Sequence, residues 1–315
     1  MGKSVAIIPA FNEEIALGSV ILRTLQYVDK VIVVDDGSND KTKEVATLAG
    51  GELISHPTNL GKGQGLKSGF EAVLSINESI NNSDETYDVI VTIDGDGQNN
   101  PDEIPTLISP IESGKADFVN GSRYLEGSTE NDTPTYRRVG QKVLDKATNL
   151  SSGLNITDSQ SGFRAFSKKA ILYFKLKNSG FAIESEILSD AAEAELKIVE
   201  VPITVRYDLD GSTKNPITHG VGVLLKIIKD MELRRPLIYF TLPGFIIFLI
   251  GIISGIWLLN DYLNGTNINF GPTVIAIILF VIGLFLMLNG ILLDYIRKLI
   301  NRKHIINIVG ICYEQ

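Results

Sequence analysis

The sequence is poor in the residues that build disulfide scaffolds and zinc sites. Among its 315 residues there is one cysteine, Cys312, and the three histidines, His56, His219 and His304, lie far apart in the chain. A single cysteine forms no internal disulfide, and isolated histidines do not reproduce the spacing of zinc ligands. The sequence therefore argues against a disulfide-stabilised scaffold and against a zinc-binding domain.

Positive charge is also in short supply. The chain carries 29 Lys and Arg residues against 37 Asp and Glu residues, which gives a formal net charge of −8. Proteins that bind the phosphate backbone of nucleic acids normally present a clustered basic surface, so no nucleic-acid partner is expected. With 44% hydrophobic and 21% charged residues, the composition is that of a globular protein with one sizeable core and an additional module.

The beginning of the chain lacks a long apolar run. Residues 1–4 lead directly into a strand-like segment that is too short for a signal peptide, so the first domain is expected in the cytoplasm. Two long runs without any charge lie instead at 237–259 and 273–293. Each is long enough as a helix to cross a bilayer core of about 30 Å, and their length disfavours the alternative of buried core helices.

Basic residues flank these two apolar runs at their outer ends only. The loop at 260–271 contains no Lys or Arg, whereas basic residues precede the first run and follow the second: Arg234, Arg235, Arg297, Lys298, Arg302 and Lys303. The positive-inside rule therefore predicts that both termini are cytoplasmic. Ahead of the first run, 216–236 has helical apolar spacing beside basic residues, which fits an interfacial helix or a helix packed on the soluble domain.

The first two thirds of the chain alternate apolar, β-branched runs with helix-compatible stretches. The runs cover 4–9, 30–34, 52–55, 88–93 and 117–119. Such alternation predicts βαβ units on a mostly parallel sheet, an α/β fold. Open parallel sheets bind ligands beyond the carboxyl ends of their strands, so chemistry is expected directly after these runs.

Acidic residues follow two of the predicted strands. Asp94-Gly95-Asp96-Gly97-Gln98 offers two carboxylates that can hold Mg²⁺ or Mn²⁺ against a diphosphate, with Gln98 as a further ligand. The metal would act as a Lewis acid on the departing nucleoside diphosphate. Asp35-Asp36-Gly37-Ser38 can accept hydrogen bonds from a base or ribose, or cap a helix. Each motif alone also fits a simple turn, but together they favour one nucleotide site.

A glycine-rich segment, Asn59-Leu60-Gly61-Lys62-Gly63-Gln64-Gly65, lies between these two motifs. Its spacing matches neither the Walker motif nor the dinucleotide fingerprint, so it predicts neither a P-loop kinase nor a dehydrogenase. It can still place a helix N-terminus and Lys62 next to a phosphate, and a plain turn is the alternative.

Six motifs occur in the order found in family 2 glycosyltransferases. Over about residues 4–215 the sequence resembles, within that family, the dolichyl-phosphate mannose synthases and polyprenyl-phosphate glycosyltransferases. The motifs that carry the resemblance are Pro9-Ala10-Phe11-Asn12-Glu13, Val34-Asp35-Asp36-Gly37-Ser38, Asn59-Leu60-Gly61-Lys62-Gly63, Asp94-Gly95-Asp96-Gly97-Gln98, Gly121-Ser122-Arg123 and Ser161-Gly162-Phe163-Arg164.

The resemblance implies a Rossmann-like GT-A fold, inversion at the anomeric carbon and a divalent metal on Asp94, Asp96 and Gln98. Phe11 stands where many members have tyrosine, which leaves donor identity open. Residues expected around the nucleotide-sugar are Pro9, Phe11, Glu13, Val34, Asp36, Lys62, Gly95, Arg206 and Lys214.

The acceptor chemistry follows from charge. A phosphate monoester is mostly ionised at neutral pH and attacks without giving up a proton, whereas a hydroxyl requires a positioned base. Asp158 is the candidate base, and orienting the acceptor is an equal alternative for it. Arginines suit a phosphate acceptor because they form charge-assisted bonds. Those predicted to face it are Arg123, Arg137, Arg138 and Arg164, with Asp94, Asp96, Arg123 and Asp158 as catalytic residues.

The sequence thus predicts a cytoplasmic catalytic domain over 1–215, an interfacial helix or linker over 216–236, two transmembrane helices within 237–293 and a basic cytoplasmic tail over 294–315. The predicted reaction moves a sugar from GDP-mannose or a UDP-hexose to dolichyl or polyprenyl phosphate. Transfer to a saccharide hydroxyl and a non-catalytic nucleotide-sugar-binding scaffold are the alternatives. Association of several copies through the spans is a further expectation, and no feature of the spans sets its number.

Overall fold

The computed structural model describes residues 2–79, 86–126, 128, 135–178, 180, 182–206, 216–265, 267 and 270–313. The chain divides into two compact units, Met1–Ile227 and Ile228–Gln315. The first contains a sheet with helices on both faces, and the second contains two long apolar helices.

A seven-stranded sheet forms the centre of the first unit. Its strands are β1 (Lys3–Ala10), β2 (Lys30–Asp35), β3 (Glu52–Ser55), β4 (Tyr87–Thr92), β5 (Phe118–Ser122), β6 (Arg164–Ser167) and β7 (Ile198–Pro202). They lie in the order β3-β2-β1-β4-β6-β5-β7. Strand β6 is antiparallel to β4 and β5, and the other neighbours pair in parallel. The prediction of a mostly parallel α/β sheet is confirmed, and β6 and β7 are additions to the five predicted strands.

Helices cover both faces of this sheet. They are α1 (Leu17–Thr24), α2 (Thr42–Leu48), α3 (Lys62–Ser79), α4 (Ile104–Glu112), α5 (Thr135–Ser152), α6 (Lys168–Ile171), α7 (Ile183–Glu193) and α8 (Pro216–Arg234). Successive side chains of a strand point to opposite faces, so Ile8 of β1 packs in the apolar cluster with α1 and α4, and Ile7 packs with α3 and α7. Burial on both faces explains why these strands read as continuous apolar runs.

The strand register places the polar motifs at one edge of the sheet. Ala10 at the end of β1 pairs with Asp35 at the end of β2, and Ile7 pairs with Thr92 at the end of β4. The residues that follow these three strands therefore emerge side by side, as expected for a ligand site of an open α/β sheet. Because β6 is antiparallel, the loop that precedes it, 161–163, joins the same edge.

Helix α8 contributes to the first unit through one of its faces. Val223 and Ile227 are buried in a small apolar cluster with Ala182, whereas Val221 and Leu225 are exposed. Of the two expectations for this segment, packing on the soluble domain accounts for the buried face. The exposed apolar residues on the other side agree in pattern with an interfacial helix, which stays a prediction.

The second unit contains α9 (Leu242–Leu263) and α10 (Phe270–Tyr313), with a π-helical turn at Leu237–Thr241 before α9. Two helical segments, Leu237–Leu263 and Phe270–Leu299, are long and apolar enough to cross a membrane by length and composition. Both predicted apolar runs lie within them. Helix α10 also continues past 293, so the described part of the predicted basic tail is helical.

Glycines allow the backbones of α9 and α10 to approach closely. A Cβ atom on Gly251 would lie 2.6 Å from the backbone nitrogen of Phe280, and one on Gly244 would lie 2.8 Å from that of Met287. These glycines are seven residues apart, which places them on one face of α9. Small residues at a contact between apolar helices are typical of packing in a lipid environment, where close backbone approach replaces the hydrophobic effect.

We expect Gly251→Val to weaken this helix pair, because the new side chain has no room against Phe280. The loss should be about 1–3 kcal/mol, the usual cost of overpacking. Gly255→Val is the matched control, since a Cβ on Gly255 meets nothing within 4 Å. Thermal unfolding in detergent, followed by fluorescence of the single tryptophan, Trp257 of α9, measures both. Equal unfolding temperatures for the two variants would contradict the packing described.

Candidate active site

Two aspartates follow β4 at the sheet edge. The amide of Gln98 donates to Oδ1 of Asp96 at 3.0 Å, and Gly97 has a positive φ of 74° that turns the loop. Gly95 packs against α1, where a Cβ would lie 3.3 Å from Cδ1 of Leu17. Burial and the nearby charge of Asp94 raise the pKa of Asp96 to about 6. The two carboxylates therefore repel each other in a partly desolvated position.

Glu13 adds a third acidic group to this region. Its amide donates to Oγ1 of Thr42 at 2.8 Å, which fixes the segment after β1. Burial, together with the charges of Asp96, Asp94 and Asp40, raises the pKa of Glu13 to about 7. A concentration of partly buried negative charge of this kind favours the binding of a cation.

The acidic pair fits a divalent metal only together with other ligands. Within the described ranges, no group of three or more His, Cys, Asp or Glu side chains is arranged to hold a metal ion. Mg²⁺ is commonly bound by one or two carboxylates together with substrate phosphates. The all-oxygen donor set of Asp94 and Asp96, and the repulsion that a cation would relieve, agree with such a site.

Lys62 bridges two acids beside this loop. At the start of α3, its Nζ lies 2.6 Å from Oδ1 of Asp94 and 2.9 Å from Oε1 of Glu184. Burial disfavours the ammonium, but Asp94 and Glu184 together raise the pKa of Lys62 above its usual value. The structure thus brings Lys62 to Asp94, and its expected contact with a phosphate stays a prediction.

Glu184 was missed by sequence reasoning. It lies in the first turn of α7, is 3% exposed, and its Oε2 has no hydrogen-bond partner within the part of the chain that the structure describes. In sequence, Ile183-Glu184-Ser185-Glu186 reads as an ordinary half-polar helix start. The available signal was that this helix follows the Ser161-Gly162-Phe163-Arg164 motif by only twenty residues, which returns it to the same edge.

Asp36 organises the glycine-rich segment. Its carboxylate accepts hydrogen bonds from the amides of Leu60 and Gly61 at 2.9 and 2.7 Å, and it lies 2.7 Å from Nδ1 of His56. Gly37 has a φ of 76° and allows the backbone at Thr58 to approach closely, since a Cβ on Gly37 would lie 2.5 Å from the carbonyl carbon of Thr58. These contacts use most acceptor positions of Asp36, so the structure favours a role in shaping the loop.

The residues predicted around the base differ in exposure. Phe11 is 40% exposed and available for stacking, and Pro9 at the end of β1 is half-buried. Val34 is fully buried and packs in the apolar cluster shared with α3. The prediction that Val34 faces the nucleotide is therefore at odds with the place of its side chain in the core. Val34 belongs to β2, a strand of the buried sheet whose apolar, β-branched side chains pack under the helices.

Arg123 and Asp158 form a bidentate ion pair. Nε of Arg123 donates to Oδ2 of Asp158 at 2.6 Å, and Nη2 donates to Oδ1 at 2.7 Å. The Arg123 amide and the Gln141 side chain also donate to this fully buried carboxylate. Four N–H donors already occupy this carboxylate, so the geometry favours orientation of Arg123 by Asp158 over the role of a general base.

Two of the predicted acceptor arginines share one tyrosine. The guanidinium carbons of Arg123 and Arg138 lie 5.8 and 5.9 Å from the centre of the Tyr124 ring. Such cation–π contacts can hold two positive groups near each other in spite of their repulsion. Helix α5 therefore brings Arg138 to the strand end that carries Arg123. The side chain of Arg137 lies outside the described residues.

Arg164 is part of the interior. It is 1% exposed, and its guanidinium donates to Oδ1 of Asn120 and to the carbonyls of Glu184 and Ser159. It also lies over the ring of Phe118 at 5.5 Å. The prediction that Arg164 faces an acceptor phosphate conflicts with this burial, because its donors are already bound inside the protein.

The last two predicted phosphate contacts lie beyond β7. The amide of Arg206 donates to the carbonyl of Gln98 at 2.9 Å, beside an isolated bridge between Asn99 and Val205. Its side chain is exposed. This bond anchors the loop at 94–98 to the segment after β7. Lys214 lies outside the described residues.

The comparisons with known proteins assign this arrangement to a family. A family model, Glycosyl transferase family 2, matches residues 5–173. The chain belongs to glycosyl transferase family 2. The match runs from β1 to just beyond α6 and includes the acidic loops, Arg123 and Asp158. The protein is therefore a glycosyltransferase, as the ordered motifs predicted.

Named relatives and solved structures agree with this assignment. This glycosyltransferase is 33% identical to UDP-N-acetylglucosamine--dolichyl-phosphate N-acetylglucosaminyltransferase of Methanococcus voltae, covering 70% of this chain and 90% of that one. It is 32% identical to dolichol-phosphate mannosyltransferase of Pyrococcus furiosus, covering 86% and 74%. Glucosyl-3-phosphoglycerate synthase from Mycobacterium tuberculosis, solved with Mn²⁺, uridine diphosphate and glucosyl-3-phosphoglycerate, has a TM-score of 0.54 at 22% identity, covering 74% and 80%. The predicted GT-A fold is confirmed.

We expect Arg164→Met to destabilise this glycosyltransferase by about 3 kcal/mol or more, because it leaves buried acceptors without their donor. Arg23→Met is the matched control: Arg23 is paired with Asp102 at 2.7 Å at the surface, where an ion pair contributes about 1 kcal/mol or less. Thermal unfolding compares the two variants. An Arg164→Met protein as stable as the control would contradict the interior role of Arg164.

Proposed function

We propose that this glycosyltransferase inverts the anomeric carbon of a nucleotide-sugar and moves the sugar to dolichyl or polyprenyl phosphate. The observation that carries the proposal is the placement of acids and arginines on either side of one loop. Oγ1 of Thr92, at the end of β4, donates to the carbonyl of Gly162, and the amide of Gly121 in β5 donates to that of Phe163. Asp94 and Arg123 follow these two strands.

The acidic side of the loop suits the donor. Asp94 and Asp96, with Gln98 beside them, would hold a divalent metal against the diphosphate, and the metal would stabilise the charge that develops on the leaving group. The Mn²⁺ and uridine diphosphate in the mycobacterial synthase agree with this chemistry for the fold. Asp36 shapes the glycine-rich loop, and Phe11 offers an exposed ring for the base.

The arginine side of the loop suits an anionic acceptor. Arg123 and Arg138 present two guanidinium groups around Tyr124, and arginine binds phosphate oxygens through paired hydrogen bonds. A phosphate monoester already ionised at neutral pH needs no base to attack. The engaged carboxylate of Asp158 agrees with an acceptor of this kind, and so do the lipid-phosphate acceptors in the names of the two relatives.

The apolar helices of the second unit agree with a lipid substrate. We propose that α9 and α10 cross the membrane with both termini in the cytoplasm, because the connecting loop lacks Lys and Arg. The proposed organisation keeps the catalytic domain at 1–215 and the interfacial segment at 216–236. An anchored enzyme meets a membrane-bound acceptor at a raised effective concentration.

We expect Asp96→Ala to slow sugar transfer at least about a hundredfold while the domain stays folded, because the metal loses a ligand in the transition state. Asp102→Ala, which removes an exposed acid paired with Arg23, is the matched control and should retain activity. The measurement is transfer from radiolabelled nucleotide-sugars with Mn²⁺, followed by organic extraction. Label that stays in water as a saccharide product would favour the hydroxyl-acceptor alternative. Full activity of Asp96→Ala would refute the metal role.

We expect Arg138→Ala to raise the KM for lipid phosphate about tenfold, since one charge-assisted contact is lost, and to change the KM for nucleotide-sugar little. Arg123→Ala should act in the same direction with a larger effect, because Asp158 also loses its partner. Thermal unfolding of both proteins separates loss of binding from loss of folding. An unchanged rate at limiting lipid in both variants would argue against these arginines as acceptor contacts.

A further inference from the structure

Glu184 lies next to the proposed metal site without being one of its expected ligands. We propose that Glu184 is a positioning residue that takes up the Lys62 ammonium when the divalent cation binds, so that lysine and metal exchange places on Asp94. This inference rests on the proposed metal site. It concerns how the chain's own charges rearrange to make room for the cation.

The need for exchange follows from the position of Lys62. Its Nζ lies 2.6 Å from Oδ1 of Asp94 and so already occupies one of the carboxylate oxygens that a metal would use. An ammonium and a divalent cation on one carboxylate, in a site of reduced water access, repel each other strongly. If Lys62 stays on Asp94, it lowers the affinity for the metal. Tight metal binding therefore requires Lys62 to move away from Asp94.

Glu184 is equipped to receive the lysine. Its Oε1 is already 2.9 Å from Nζ, and its Oε2 is buried with no hydrogen-bond partner among the described residues. A lysine ammonium has three donors on a flexible stem, so a small shift lets Lys62 bond both oxygens of Glu184. A buried carboxylate without a cationic partner is costly, which keeps Lys62 at Glu184 when the metal occupies Asp94.

Gly162 limits where the Lys62 side chain can move. A Cβ on Gly162 would lie 2.7 Å from Nζ of Lys62 and 2.6 Å from Oδ2 of Asp94, so the loop backbone already packs against the pair. The loop is held there by the hydrogen bond from Thr92 to the Gly162 carbonyl at 2.9 Å. Retreat of Lys62 towards this loop is blocked, and the path to Glu184 is short.

The exchange would also link metal binding to the glycine-rich segment. Lys62 is the first residue of α3 and directly follows Gly61, whose amide is bound by Asp36. A shift of the Lys62 side chain towards Glu184 therefore takes place next to the segment that Asp36 shapes. The glycine-rich loop would then differ in its contacts between the metal-free and metal-bound states.

Direct Mn²⁺ binding tests the proposal without measuring activity. The loss of the free-Mn²⁺ electron paramagnetic resonance signal gives Kd for the full-length protein, with and without UDP or GDP. Glu184→Gln should weaken Mn²⁺ binding about tenfold, because Lys62 is left to Asp94 alone. The double variant Lys62→Met with Glu184→Gln should bind Mn²⁺ at least as tightly as the unmodified protein, since the competing cation is gone.

Lys175→Met is the matched control. Like Lys62, Lys175 contacts two carboxylates, here both in α7: Asp190 at 3.8 Å and Glu193 at 2.5 Å. It lies outside the proposed site. Its Mn²⁺ affinity should equal that of the unmodified protein. Thermal unfolding of every variant verifies that the fold is retained. A purely structural role of Glu184 would lower the Mn²⁺ affinity of the single and double variants together, whereas exchange predicts a loss in the single variant that the double variant reverses.

The possible failures are distinguishable. Unchanged affinity in Glu184→Gln, or a double variant no tighter than that single variant, would overturn the exchange while leaving the metal site in place. An unmodified protein that binds no Mn²⁺ either alone or with a nucleoside diphosphate would contradict the proposed metal site, and the exchange with it.

Discussion

Repulsion among acidic side chains at the end of β4 is the constraint on which the rest of the site depends. Asp94 and Asp96 lie together, and Glu13 adds its charge, so burial and mutual repulsion raise the pKa of Asp96 and Glu13 to about 6 and about 7. Protonation or a nearby positive charge relieves the repulsion in such a cluster, and near neutral pH a cation is the more effective of the two. Lys62 provides this positive charge in the structure, and a divalent metal would provide it during the proposed reaction.

The sheet topology turns this local constraint into a two-sided site. Parallel strands β1, β2 and β4 deliver the acidic segments to one edge, β3 delivers the glycine-rich segment, and β5 delivers Arg123. The antiparallel strand β6 lies between β4 and β5, and its leading loop separates acids from arginines. Buried hydrogen bonds from Arg164 connect the start of this strand to β5, to α7 and to the segment before β6. The backbone of this loop thus separates the opposite charges, an arrangement that would let the proposed anionic acceptor and the proposed metal-bound donor approach each other.

Periodicity and motif order were sufficient to predict the α/β sheet, the family and the two apolar helices. They could not distinguish an arginine at the sheet edge from one in the core: Arg123 and Arg164 each end one of the six motifs, but Arg123 follows β5, whereas Arg164 is the first residue of β6 and is buried. Glu184 escaped notice because its partner, Lys62, is distant in sequence. Asp36 was predicted at the right edge, but its loop contacts depend on backbone amides that a sequence does not reveal.

The most direct test of the central claim is a crystal structure of the protein with nucleotide-sugar and manganese, in which anomalous scattering locates the metal. The account predicts manganese bonded to carboxylate oxygens of Asp94 and Asp96 and to the diphosphate, at about 2.0–2.2 Å. Manganese bound to the diphosphate but away from both aspartates would contradict it.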